Sequence, residues 1–187
     1  MQDAQEKIIP SIYPRLQEGQ SISIIGMAGA GKTTVGKALA NMLDWAHADT
    51  DHLIEAVYGT TLQAVADSMT KDEFLDVEAA TIMNIRTRRT ILSTGGSVIY
   101  RDAAMQHLAS LGPIMYLDVP LPLILERIAR KPDRGLAIAP GQTIEDLFNE
   151  RKALYTKYAH FTVAAEKLSP SQCAVAMTKW LKENPHG

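Results

Sequence analysis

Residues 21 to 34 read SISIIGMAGAGKTT. An apolar β-type run passes without a spacer into the pattern G-x-x-x-x-G-K-[ST], filled by Gly26, Gly31, Lys32 and Thr33. Helical periodicity (Val35, Leu39, Leu43) starts at once. A strand, a glycine-rich loop and a helix in that order curl consecutive backbone N–H groups around one point, and the positive end of the helix faces the same point. Such a point binds phosphate. Gly29, Ala30, Gly31 and Thr34 build the loop, Lys32 is placed to reach β- and γ-phosphates, and the Thr33 hydroxyl is placed to ligate Mg²⁺. A glycine-rich turn that merely joins strand to helix is the plain alternative; the full pattern in its strand–loop–helix setting favours the phosphate cradle.

Further short β-type runs follow: TILST (90–94), PIMYLDV (113–119), FTVAA (161–165) and the weaker WAHAD (45–49), with helical patterns such as Leu123, Ile124 and Ile128 between them. Strands separated by helices imply an α/β domain whose parallel sheet carries helices on both faces. Ser169-Pro170 supplies a cap and first-turn proline for a last helix running to about Lys182. Residues 1–20, interrupted by Pro10 and Pro14, read as an N-terminal helical extension, leaving 21–187 as a single domain.

At 187 residues and 46% hydrophobic content, the chain is long enough for one real core. A net charge of −2 gives no electrostatic case for nucleic acid. The apolar run IMYLDVPLPLIL is broken by Asp118, Pro120 and Pro122, so no membrane span is expected, and residues 1–20 lack the pattern of a signal peptide. The lone Cys173 cannot form an internal disulfide and is expected buried on the last helix, which suits a reducing cytoplasm. A monomer or weak homodimer acting on a small molecule is expected.

The cradle alone does not say which nucleotide enzyme this is. No N-K-x-D base reader of switch GTPases is present, and the strand at 90–94 runs into TGGS rather than ending in the Asp of motor ATPases. Small size and few other nucleotide motifs favour a metabolite kinase of the nucleoside-monophosphate-kinase type.

After the phosphate loop come Asp49-Thr50-Asp51, then F-x-x-x-E at Phe74 and Glu78, then Gly95-Gly96, YLDV (116–119), LERIARKPDRGL (125–136) and ERKALYTKYA (150–159). In this order and spacing they resemble the shikimate kinase family over residues 22 to about 165. The resemblance implies a five-stranded parallel sheet of the P-loop type, a mobile lid, ATP and Mg²⁺, and transfer of phosphate to a hydroxyl of a small carboxylic acid. It implies that Asp49 holds Mg²⁺ through water and that Asp51 binds the acceptor hydroxyl and takes its proton. The alternative for either aspartate is a helix N-cap. Gly95 and Gly96 match the glycine run against the acceptor, with Ser97 where a third glycine is usual. Arg127 matches the arginine that stacks on adenine, or is a solvated helix charge. Arg134 matches a lid arginine in the segment at about 131–143, with Gly135 and Ala137 departing from the family pattern. Arg151 matches the arginine that grips the acceptor carboxylate; its alternative is a helix-face salt bridge with Glu150 or Glu145.

One position departs sharply. The family places a second carboxylate-clamping arginine after the Phe of F-x-x-x-E, and here DEFLDVEAA places Leu75 there. The upstream Gly-Glu of the family is likewise Thr70-Lys71. Loss of such an arginine typically removes about 1.5–3 kcal/mol of charge-assisted hydrogen bonding. It also leaves Asp51 and Glu78 with one cation fewer, so they are expected to be protonated, paired elsewhere or neutralised by a cationic acceptor. A small hydroxy amino acid, homoserine first among them, supplies an ammonium for the acids and a carboxylate for Arg151. The alternatives are a shikimate kinase in which Lys71, Arg86 or another cation replaces the clamp, and an inactive nucleotide-binding regulatory module.

Overall fold

The computed structural model describes residues 19–130 and 141–184. The expectations for residues 1–18, for most of the lid and for Arg134 therefore lie outside the described residues.

Five strands form one parallel sheet: β1 (Ile22–Ile25), β2 (Ala46–Asp49), β3 (Thr90–Ser93), β4 (Ile114–Asp118) and β5 (Phe161–Ala164), in the order β2-β3-β1-β4-β5. Every residue of β1 and β3 is buried. Alternate side chains of a strand point to opposite faces, so unbroken burial means that helices cover both. The edge strands β2 and β5 are more exposed, as their single neighbours dictate.

The helices are α1 (Lys32–Leu43), α2 (Thr50–Tyr58), α3 (Leu62–Asp67), α4 (Lys71–Asn84), α5 (Asp102–Leu111), α6 (Leu121–Ala129), α7 (Ile144–Tyr158) and α8 (Pro170–Glu183), with a 3₁₀ turn at Val98–Tyr100. Their starts are encoded locally. Thr70 with Glu73, Thr143 with Asp146, and Ser169 with Gln172 each form a reciprocal capping box. The last of these, with Pro170 in the first turn, begins α8 where the sequence places it. The short α3 and the 3₁₀ turn carry no periodicity long enough to be read from the sequence.

Most buried apolar residues form one core around the sheet, from Ile22, Ile24 and Leu39 to Met177. A separate cluster of Ile54, Val65 and Phe74 joins α2, α3 and α4. That second cluster fixes α4 beside the sheet, so Phe74 serves packing while Glu78, one turn on, is buried elsewhere on the same helix. The register sets β2 and β3 level at their carboxyl ends, with Asp49 opposite Ser93 and Ile24 of β1 beside it. In open α/β sheets ligands bind at that edge, where the strand order reverses about the first strand.

Candidate active site

The loop between β1 and α1 ends on Gly31, whose φ of 98° is left-handed. No side chain caps α1, so its first N–H groups keep their capacity for a ligand. Lys32 Nζ donates to the carbonyls of Gly26 (2.8 Å) and Met27 (3.0 Å), which holds the ammonium over the loop. Thr33 Oγ1 donates to Asp49 Oδ2 at 2.6 Å. The other Asp49 oxygen accepts from the Asp51 backbone N–H at 3.1 Å and caps α2. Capping therefore falls on Asp49, and the Asp51 side chain is left for other work. The Thr33 hydroxyl and Asp49 carboxylate, brought to one point beside the loop, are a hard oxygen donor set of the kind Mg²⁺ takes. Arg127, on α6, donates to Gly29 O (3.2 Å) and Ala30 O (3.0 Å), tying α6 to the loop. A cavity of about 350 Å³ opens there, lined by Gly29, Ala30, Thr34, Arg127, Ile128 and Cys173 among others. The Cys173 thiol is buried on α8 as expected, and burial pushes its pKa up.

A second group of buried polar side chains, where the acceptor is expected, lies beyond the carboxyl end of β3. Gly95 N–H donates to Thr50 Oγ1 at 3.1 Å. A Cβ on Gly95 would lie 2.1 Å from Glu78 Oε1 and 2.9 Å from Asp51 Oδ1, so the absence of a side chain is what lets two carboxylates meet over one stretch of backbone. Glu78 is 5% exposed, and its Oε2 accepts from the Ser97 hydroxyl. Burial raises the Glu78 pKa to about 7, with the Ser97 hydrogen bond opposing and the Asp51 charge adding. Burial likewise raises Asp51 to about 6, with Lys32 opposing and Asp49 adding. Asp51 Oδ1 is buried without a hydrogen-bond partner among the described residues.

Arg151, on α7, is 2% exposed. Its Nε donates to the Tyr100 hydroxyl at 3.3 Å, while Nη2 is buried without a partner among the described residues. Among the described residues it has no ion pair with Glu145 or Glu150, so the helix-face salt bridge is not what holds it. Tyr155, one turn further along α7, donates to Gly96 O at 2.6 Å and stacks on Tyr116 at 5.1 Å between centroids. Its complete burial raises the hydroxyl pKa far above the physiological range.

Leu75 is buried at 6% exposure, one turn before Glu78 on α4. Arg86 donates to Met83 O and Ile85 O at the far end of α4, so it does not replace the missing arginine. Lys71, one turn before Leu75, holds its ammonium 5.6 Å from the centroid of the Tyr100 ring.

The structure thus gathers Lys32, Thr33 and Asp49 at one end and Asp51, Glu78, Gly95, Gly96, Ser97 and Arg151 at the other, with Lys32 close enough to act on both acids. Tyr100 and Tyr155 were not singled out from sequence. Tyr155 had a usable signal, lying four residues after Arg151 on one helix face; Tyr100 had none.

A parallel sheet in this strand order, with the phosphate loop after its central strand and Asp49 at the carboxyl end of β2, defines a P-loop kinase of the nucleoside-monophosphate-kinase type. The family model for shikimate kinase matches residues 28–182, and the chain belongs to the shikimate kinase family of ATP-dependent small-molecule phosphotransferases. It is 32% identical to a shikimate kinase of Synechococcus elongatus over 79% of this chain and 78% of that protein. With that of Thermodesulfovibrio yellowstonii the identity is 32% over 86% of this chain and 94% of the relative. Among solved structures, a shikimate kinase from Acinetobacter baumannii in complex with shikimate superposes with a TM-score of 0.82 at 28% identity, covering 93% of this chain and 99% of that one. A thymidylate kinase from Candida albicans shares the fold alone, at a TM-score of 0.57 and 13% identity over 89% of this chain and 92% of that one. Among the described residues, no helix is long and apolar enough to cross a membrane.

Proposed function

We propose that this enzyme transfers the γ-phosphoryl group of ATP to the hydroxyl of a small hydroxy amino acid, with homoserine as the leading candidate. One observation carries the reading. Asp51 Oδ1, against Gly95, and Arg151 Nη2, on the guanidinium against Gly96, are both buried without a hydrogen-bond partner among the described residues. Buried polar atoms without partners are costly, and an acceptor that brings a hydroxyl donor to Asp51 and an anionic end to Arg151 satisfies both. Glu78 strengthens the case: it is buried beside Asp51 where Leu75 supplies no counter-charge, and among the described residues only the Ser97 hydroxyl bonds its carboxylate. An acceptor ammonium provides the cation, while Arg151 takes the carboxylate.

In this reading the acceptor hydroxyl is oriented by Asp51. Its oxygen forms the new bond to the γ-phosphorus, the bond from that phosphorus to the β–γ bridging oxygen breaks, ADP leaves, and the hydroxyl proton passes to the Asp51 carboxylate. A pKa near 6 keeps most Asp51 ionised at neutral pH while making it a better base than an ordinary carboxylate. Lys32 and the loop N–H groups hold the phosphates. Thr33 and Asp49 are the residues that would hold Mg²⁺, which when bound offsets phosphate charge. Arg127 borders the base, and Arg134, in the segment at about 131–143, is assigned the charge on the moving phosphoryl group.

A second reading, shikimate as acceptor, is favoured by the names of the relatives and by the shikimate held in the Acinetobacter baumannii enzyme. Measurement of kcat/KM for homoserine and for shikimate decides between them, because specificity is that ratio. Preference for homoserine supports the first reading. Efficient use of shikimate with negligible use of homoserine establishes the second, and no ADP release with any small hydroxy acid or hydroxy amino acid would leave a binding module.

A further inference from the structure

We infer that Lys71, carried over the Tyr100 ring, supplies the second cation for the acceptor carboxylate, replacing the arginine that Leu75 displaced. The inference rests on the reading that the acceptor carries a carboxylate, and it holds for a hydroxy amino acid and a hydroxy acid alike.

Four observations converge. Lys71 Nζ lies 5.6 Å and the Arg151 guanidinium carbon 5.3 Å from the centroid of the same Tyr100 ring, so one aromatic side chain gathers both cations. The ring is itself fixed. Its hydroxyl accepts from Arg151 Nε at 3.3 Å and donates to Glu150 Oε1 at 2.6 Å, and Gln142 Nε2 holds the other Glu150 oxygen at 2.9 Å. Arg151 Nη2 is buried without a hydrogen-bond partner among the described residues, a donor with no acceptor atom there. Finally, the acids nearest Lys71 in sequence are engaged elsewhere: Glu73 Oε2 accepts from the Thr70 N–H and hydroxyl, and Asp72 and Asp76 each pair with Arg101 at 2.8 Å. Lys71 keeps its charge unneutralised by any carboxylate among the described residues.

Position on the helix supports the same conclusion. Lys71 is the first residue of α4, where a positive side chain opposes the helix dipole. It also stands one turn before Leu75, on the side of α4 that leads to Glu78. A lysine is longer than the gap of one turn, so its ammonium can cover the ground an arginine at position 75 would have held. The ammonium is a point charge rather than a fork, so it adds attraction without the bidentate geometry that Arg151 retains.

The test uses Lys71→Met and Lys71→Arg in the full chain, with homoserine and shikimate as acceptors and the carboxamide of whichever reacts. Lys71 is exposed, so neither substitution endangers folding. Lys71→Met should raise the acceptor KM by about fivefold to tenfold, with kcat and the KM for ATP held within about twofold. Lys71→Arg should restore the wild-type KM, and the carboxamide should show no difference between Lys71→Met and the unmodified enzyme. An unchanged KM in Lys71→Met, or an equal rise with the carboxamide, would overturn the inference while leaving the kinase reading intact. Failure of the kinase reading looks different: the unmodified chain releases no ADP with any acceptor, and the inference falls with it.

Discussion

The Ser97 hydroxyl donates to Oε2 of Glu78, joining the turn after β3 to the middle of α4. Both residues belong to one change in the pocket. Ser97 stands where a third glycine is usual, and Glu78 lies one turn from the leucine that stands in place of an arginine. A hydroxyl can share a proton with a carboxylate but cannot neutralise it, so burial still lifts Glu78 to about 7.

The stability of the enzyme should therefore depend on Glu78 in a definite direction. Its folded pKa of about 7 lies above the ordinary 4.5, so the folded state keeps the proton to higher pH than the unfolded chain does. Stability is greatest below the unfolded value, falls as pH rises between the two, and is level above the folded value. Glu78→Gln removes this dependence. Relative to the unmodified protein, its Tm should improve by about 4 °C or more between pH 4 and pH 8. Thermal melts across that range, without ligand, check it; a constant difference would show that Glu78 titrates normally.

Asp51→Asn should separate chemistry from binding. No side-chain hydrogen bond to Asp51 is present among the described residues, so the substitution breaks none there and should cost little stability. Removing the proposed base should lower kcat by roughly 10²-fold or more while leaving the KM for ATP nearly unchanged. Steady-state kinetics in both substrates report this, and a collapse of ATP affinity at preserved kcat would place Asp51 in the metal shell instead.

Leu75→Arg introduces a guanidinium one turn from Glu78 in a buried setting. The new cation should pair with Glu78 and compete with the acceptor ammonium, lowering kcat/KM for homoserine by about tenfold or more. Turnover of shikimate should be spared or improved. A parallel fall for both acceptors would point to packing damage rather than to charge.

Gly36→Ala tests the support beneath the phosphate loop. The added Cβ would lie 2.6 Å from Ser93 Oγ and 2.9 Å from the His47 ring. Those side chains bond each other at 3.0 Å, and Ser93 Oγ also donates to Lys32 O at 3.1 Å. Alanine's helix preference is worth up to about 1 kcal/mol, against about 1–3 kcal/mol for overpacking and a further loss from the disturbed hydrogen bonds. The net sign is destabilising, and Tm should fall by about 4 °C or more.

Much of this was legible in the chain, because it is encoded over short spans. The phosphate loop, all five strands and the start of α8 follow from periodicity, glycine placement and capping chemistry, which act among neighbours in sequence, while Asp49 beside the loop was expected from the family resemblance. The departure at Leu75 was likewise visible as a single letter in DEFLDVEAA. Its consequence was not. Only the folded chain places Glu78 and Asp51 against Gly95, seats Ser97 on Glu78, turns Arg86 away, and brings Lys71 and Arg151 to one tyrosine ring. These contacts join residues far apart in sequence, and their energies come from burial, which no local pattern records. The sequence determined where phosphate would sit; tertiary packing decided which charges at the acceptor end are left without a partner.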